Sequence, residues 1–123
     1  MPPPESTTVL TAAADGVGVV SVVLGGLLGV FPHAGGRWLG LDGTDVARRR
    51  ALGAADLGLG ITIIAGRSAP WRWRAVAARS LLHLVFAGEY VRTGRRPAAV
   101  AMGALFLLDS GIAAGLRRPP PPS

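Results

Sequence analysis

The sequence has no cysteine and no lysine, and few of its residues are charged. Without cysteine the chain can form no disulfide, no thiolate metal site and no thiol nucleophile. Charged residues make up 16% of the chain, against about 25% in an ordinary soluble domain. Apolar residues make up 50%, and glycine occurs 18 times. This composition argues against an ordinary soluble domain and favours helices that pack closely in lipid.

All 13 basic residues are arginine, and the formal net charge is +6. Such a charge can indicate nucleic-acid binding, but these arginines do not form one stripe. Most of them lie at the borders of apolar segments, which suits lipid headgroups better than a phosphate backbone. We therefore expect the lipid bilayer as the main partner and no nucleic acid.

Four apolar segments follow one another, and each is about long enough to cross a bilayer, which takes roughly 20 helical residues. The predicted fold is all-α, a four-transmembrane-helix bundle with short loops, located in the cell membrane as a multi-pass protein. A soluble four-helix bundle is the alternative, but it needs a broad polar face that the first and last segments largely lack. The predicted helices cover residues 7–31, 45–66, 71–91 and 97–116 of a membrane domain that spans residues 9–116.

The proline-rich ends of the chain, residues 1–8 and 117–123, are predicted to be disordered tails. The first eight residues lack the basic start of a signal peptide, so cleavage is not expected. Residues 32–44 are predicted to be a surface loop that ends at Thr44, the expected N-cap of the second helix. Aromatic rings near the segment borders are typical of membrane-surface anchors; these are Trp38, Trp71, Trp73 and Tyr90.

Glycines recur at helical spacing in the first two segments, and such faces let helix backbones approach closely. Gly25 and Gly29 form a G-x-x-x-G pattern, which indicates either internal packing or the face of a homodimer. The glycines predicted to pack helices together are Gly18, Gly25, Gly29, Gly53 and Gly60.

Five ionisable side chains lie inside the apolar segments: Asp15, Asp56, Arg79, His83 and Asp109. A charge at membrane depth is costly unless it is paired, neutralised or used. Counting along alternating spans places all five in the same half of the bilayer, ~8–15 Å from one side at 1.5 Å per residue. Arg79 and His83 are four residues apart and share a helix face. We predict one buried polar network, with an ion pair between Arg79 and Asp56 or Asp15 as its core.

Three ionised aspartates against one arginine would leave two negative charges uncompensated if His83 is neutral, which is not tolerable at that depth. Either His83 is protonated, or aspartates are protonated, or a cation occupies the network. A single histidine with scattered carboxylates is a weak metal pattern. We predict no metal site, no cofactor and no catalytic residue.

Three stretches carry a family likeness: Phe31-Pro32, Arg37 to Asp42, and Arg50 to Gly60. Together they resemble small uncharacterised four-helix integral membrane proteins of high-GC bacteria, broadly DoxX-like, over roughly residues 20–115. The resemblance implies an aspartate in the fourth helix, as at Asp109. In those relatives an arginine often precedes the second-helix aspartate, where this chain has Ala55, so Arg50 or Arg79 would be the partner. The family has no established general activity, so the resemblance implies a fold and little about function.

Three functions fit the sequence. The first is a non-enzymatic structural or interaction subunit, as a homodimer or with a membrane-complex partner, whose buried Arg–Asp network sets its packing. The second is a proton-linked transporter of small cationic or apolar compounds, with Asp56 and Asp15 as proton or cation sites. The third, a redox-complex subunit, is suggested only by the resemblance.

Overall fold

A computed structural model describes residues 4–117 of the chain, with side chains from residue 8 onward, and these residues are all-α. The four long helices form two closely packed pairs, one of the first helix with the third and one of the fourth with the fifth. The third and fourth helices join the pairs, and the first touches the fifth more lightly. The helices are α1 (Pro4–Val30), α2 (Pro32–Leu39), α3 (Val46–Ala65), α4 (Arg72–Arg92) and α5 (Arg96–Arg117).

The prediction of a four-transmembrane-helix bundle is wrong. The described residues form five helices, and two stretches, Thr8–Val30 of α1 and Arg96–Arg117 of α5, are long and apolar enough to cross a membrane. The other two long helices fall short because charges interrupt them: α3 carries three successive arginines and an aspartate, and α4 carries four arginines and a glutamate. Apolar length alone had suggested four spans.

The fifth helix, α2, lies where the surface loop was expected. It begins with Pro32 at its first position and ends at Gly40, whose φ of 75° is left-handed. The main-chain N–H groups of Gly40 and Leu41 donate to the carbonyls of Arg37 and Gly36, which closes the last turn. Proline at the start and glycine after the end are signals of a helix, so this element was readable from the sequence.

The other four helices lie within three residues of the predicted bounds at each end. Residues 4–8, expected in a disordered tail, belong to α1, and Arg117 belongs to α5. The rest of the predicted tails, residues 1–3 and 118–123, lies outside the described residues. The N-cap of α3 is Asp45 rather than Thr44, because the Asp45 carboxylate accepts from the Arg48 N–H at 2.8 Å.

Helices α1 and α3 cross with their backbones in contact. A Cβ atom built on Gly60 would lie 2.7 Å from the main-chain nitrogen of Val22, and one on Gly53 would lie 2.8 Å from the Cα of Gly29. The G-x-x-x-G pattern is therefore used inside the protein. All five glycines predicted to pack helices lie at this crossing: Gly18, Gly25, Gly29, Gly53 and Gly60.

The interior is layered along the helix axes. One apolar cluster includes Ala14, Ile63, Val76 and Ile112, and a second is made of Leu28, Leu41, Leu52, Phe86 and Tyr90. Between these two clusters, the buried residues of α1, α3 and α4 other than glycine are polar or charged: Ser21, Asp56, Arg79, Ser80 and His83. The charged groups therefore lie in a middle layer, with apolar packing on both sides.

The outer surface is apolar over all four long helices. Seventeen large apolar side chains are exposed, and ten of the 29 buried residues in the described part of the chain are polar or charged. The apolar stretches of α1 and α5 are only 28% and 17% buried inside the bundle. Charged residues are almost never fully buried unless they are paired, so the buried charges of this bundle need partners inside it.

Candidate functional site

Five buried side chains from four helices form one hydrogen-bonded group, which we call the polar layer. Arg79 of α4 donates from Nε to Asp56 Oδ1 of α3 (3.2 Å) and from Nη1 to Asp109 Oδ2 of α5 (2.8 Å). His83 Nε2 lies 2.9 Å from the same Asp109 oxygen. The Ser21 hydroxyl of α1 contacts the main-chain carbonyl and the carboxylate of Asp56. The polar layer therefore ties α1, α3, α4 and α5 together.

Four of the five ionisable residues predicted to form one network meet in the polar layer, and Asp15 does not. Asp15 pairs instead with Arg72 Nη2 at 2.5 Å and with Arg67 Nε at 3.0 Å. Arg67, in the turn after α3, and Arg72, the first residue of α4, lie at the level of Asp15, nearly two helical turns from Ser21. Of the two partners predicted for Arg79, the structure therefore provides Asp56.

Ser21 was missed by sequence reasoning because an uncharged hydroxyl in an apolar run attracts little notice. A signal was present, since Ser21 lies three residues after Gly18 and four before Gly25, on the glycine face of α1. A serine between glycines on a helix-crossing face is placed to donate across the crossing. Here it donates to the aspartate of α3.

Two carboxylates share one guanidinium in the polar layer. With Asp15 paired elsewhere, Asp56 and Asp109 both bond to Arg79. His83 Nε2 lies 3.0 Å from Arg79 Nη1 as well as 2.9 Å from Asp109 Oδ2, so it accepts from Arg79 in one neutral tautomer and donates to Asp109 in the other. How the second carboxylate charge is balanced stays a prediction.

An apolar cavity of about 210 Å³ opens beside the polar layer, bounded mainly by α1, α4 and α5. Asp56, Arg79, His83 and Asp109 line one part of the wall, and most of the remaining wall is aliphatic or aromatic. Asp109 is 1% exposed, and its Oδ1 atom has no hydrogen-bond partner among the residues that the structure describes. A residue of the cavity wall thus has a buried acceptor atom without a partner among the described residues.

A second buried cluster surrounds Glu89 near the C-terminal end of α4. Its carboxylate accepts from Thr44 Oγ1 (2.9 Å), Arg48 Nη1 (2.8 Å) and Arg92 Nη2 (2.8 Å). The hydrogen bond from Arg92 holds the pKa of Glu89 below its usual value of 4.5; burial opposes this, and Thr44 and the Arg48 charge add to it. This cluster joins the start of α3 to the end of α4.

Replacing Glu89 with glutamine is expected to reduce the pH dependence of stability. Because folding lowers the Glu89 pKa, its stabilising effect is present above 4.5 and is lost as the pH falls through the lower folded-state value. Melting temperatures measured from neutral pH downward should differ between wild type and Glu89→Gln at neutral pH and converge in acid. Asp42→Asn, at a half-exposed pair with Arg95, is the control with little effect. A constant difference at every pH would contradict the expectation.

The aromatic residues predicted as surface anchors take two different positions. Trp38 and Trp71 are exposed, and Trp73 is stacked by the guanidinium groups of Arg117 and Arg74, 5.0 and 5.5 Å from its ring centre. Tyr90 is not a surface anchor: it is buried in the second apolar cluster, and its hydroxyl donates to the Leu39 carbonyl at 2.6 Å. Its place on the face of Arg79 and His83 explains this burial.

No family model, no curated protein and no solved structure matches the chain. The likeness to DoxX-like proteins therefore stays a prediction from the residues that carry it. Within residues 4–117, no three histidine, aspartate or glutamate side chains come together in a way that could hold a metal ion. What the site offers is a charged hydrogen-bonding layer beside an apolar cavity.

Proposed function

We propose that this chain is a small, non-enzymatic membrane protein that acts as a structural or interaction subunit, with the polar layer fixing how its helices pack. The observation that carries the proposal is the combination of 17 exposed large apolar side chains with seven ionisable side chains buried in the interior. In water such a surface would drive aggregation. In lipid the same surface is favourable, and ionisable groups are expected to turn inward and pair.

The positions of the charges on α3 and α4 support a lipid environment even though these helices are less apolar overall. Asp56, Arg72 and Arg79 are buried, whereas the outward positions of the same helices carry apolar side chains such as Ile61, Ile64 and Leu84. We propose that α1 and α5 cross the bilayer and that α3 and α4 pack against them through their charged faces. Cell-membrane localisation is part of this proposal.

A structural role follows from how the polar layer is connected. Each of the four long helices contributes at least one member, and Arg79 bonds to both α3 and α5. Buried ionic groups of this kind can fix one register of packing because any shift leaves charges unpaired. A bundle fixed in this way could present the same outer surface to a second copy or to a membrane-complex partner.

Membrane extraction tests the first part of the proposal. The full chain should sediment with membranes, remain there after alkaline carbonate or urea washes, and be released only by detergent. Release by carbonate would overturn the membrane proposal. A soluble protein expressed in the same cells is the control that the washes should release, and a known integral membrane protein is the control that they should leave in the membrane.

The subunit role is tested separately by measuring the protein mass within the purified protein–detergent particle in mild detergent. A dimer, or a stable complex with another membrane protein that survives purification, is the expected result. A strictly monomeric chain, without a partner in mild detergent and in crosslinked membranes, would overturn the subunit role and leave the membrane proposal standing.

A further inference from the structure

We propose that the cavity beside the polar layer binds a small apolar primary amine, whose ammonium group pairs with Asp109. This goes beyond the structural role proposed above, which requires no ligand. Two observations carry it: a cavity of about 210 Å³ with mostly apolar walls, and the buried Oδ1 atom of Asp109, which lacks a partner among the described residues.

The size and walls of the cavity define the apolar part of the ligand. A dry cavity of about 150 Å³ can take up benzene, so this one suits a molecule slightly larger than benzene. Its apolar walls include Val17, Val20, Leu24, Phe86 and Leu105. A ring with a short aliphatic arm would fill this space and leave one end beside Asp109.

The charges around the cavity select a cation over an anion. The ionisable groups that line it are Asp56 from α3, Arg79, His83 and Tyr90 from α4, and Asp109 from α5, while α1 lines it with glycine and aliphatic residues. Arg79 already donates to both carboxylates. The open position is therefore an acceptor, and an ammonium N–H is the strong donor that matches it.

The charge count of the polar layer favours a cationic ligand. Asp56 and Asp109 share the single guanidinium of Arg79, so an ammonium group brings positive charge to a group in which carboxylates outnumber arginines. The ligand N–H donates to the Asp109 carboxylate, and no covalent bond of the ligand changes. Pairing matters because an uncompensated charge at this depth is expensive.

Calorimetric titration of the full chain in mild detergent tests the proposal, with 2-phenylethylamine as probe and propylbenzene as the hydrocarbon of matching size. Empty micelles give the background. The amine should bind with a one-to-one ratio, at least about tenfold more tightly than the hydrocarbon, since only it forms the charged hydrogen bond. No saturable amine binding, or equal binding of both probes, would each overturn the proposal.

Two variants of α5 locate the site. Leu105 lines the cavity, whereas Leu107 is 70% exposed and does not. Leu105→Phe should abolish amine binding by filling the cavity, and Leu107→Phe should leave it unchanged. Asp109→Asn should remove the preference for the amine over the hydrocarbon. If Asp109→Asn does not fold, the comparison of Leu105→Phe with Leu107→Phe and the comparison of the amine with the hydrocarbon still test the proposal. Equal amine binding by Leu105→Phe and wild type would refute this site.

Discussion

Arg79→Met is expected to destabilise the protein by about 3–5 kcal/mol, the usual cost of removing one partner from a buried ion pair. Arg79 is 4% exposed and bonds both Asp56 and Asp109. Without its charge, two carboxylates remain in the interior with only His83 to offset them, and they must take up protons or draw in water. Methionine preserves an unbranched apolar stem, so the loss reports the guanidinium rather than the packing of the chain.

Thermal unfolding in detergent, followed by circular dichroism, measures this loss as a lower melting temperature. Arg74→Met is the matched control, since Arg74 is exposed on the same helix and surface substitutions usually change stability by no more than about 0.5 kcal/mol. The double variant Arg79→Met with Asp109→Leu should recover part of the loss, because replacing an ion pair by apolar groups is often tolerated. Equal melting temperatures for Arg79→Met and Arg74→Met would show that the polar layer does not stabilise the bundle.

Gly53→Ala is expected to cost about 3 kcal/mol, at the upper end of the range for overpacking. The new methyl group would lie 2.8 Å from the Cα of Gly29 and 2.9 Å from the carbonyl oxygen of Gly25. Both are main-chain atoms, which cannot rotate away as a side chain can. Helices α1 and α3 would have to separate along their crossing, and the Ser21 contact with Asp56 would lengthen with them.

Gly58→Ala is the control for this substitution. Gly58 lies on the same helix, and a Cβ atom there meets nothing within 4 Å. Alanine is a better helix former than glycine by roughly 0.5–1 kcal/mol, so this variant should melt at or above the wild-type temperature. If the melting temperature falls in Gly53→Ala and does not fall in Gly58→Ala, the lost stability is due to the helix crossing. If Gly53→Ala melted like Gly58→Ala, the backbones would not be in contact there.

The positions of the long helices could be predicted because they depend on local patterns. Apolar periodicity, the arginines at segment borders and Pro97 placed four helices within three residues of their observed ends. Helix α2 was missed because Gly35 and Gly36 are poor helix formers, although Pro32 and Gly40 marked its two ends. The number of spans was overestimated because apolar length was weighed more heavily than the charges inside α3 and α4.

Local reasoning also placed Arg79 and His83 on one face and required their charges to be balanced. It could not assign the partners, because pairing depends on how far each helix is rotated and shifted against its neighbours. Asp15 and Asp56 both lie on helices lined with glycine, yet only Asp56 reaches Arg79. Asp15 instead pairs with Arg67 in the turn after α3 and with Arg72 at the start of α4.

Composition and spacing were thus enough to predict the helices and the charged groups inside their apolar segments, because each of these two features belongs to a single helix. The arrangement in three dimensions set three further features: the ion pairs around Arg79, the Asp109 oxygen that has no partner among residues 4–117, and the cavity beside the polar layer. Each of these depends on distances between residues far apart in the chain. Such distances are fixed only when the glycines of α1 and α3 let two backbones meet and the remaining helices pack around that crossing.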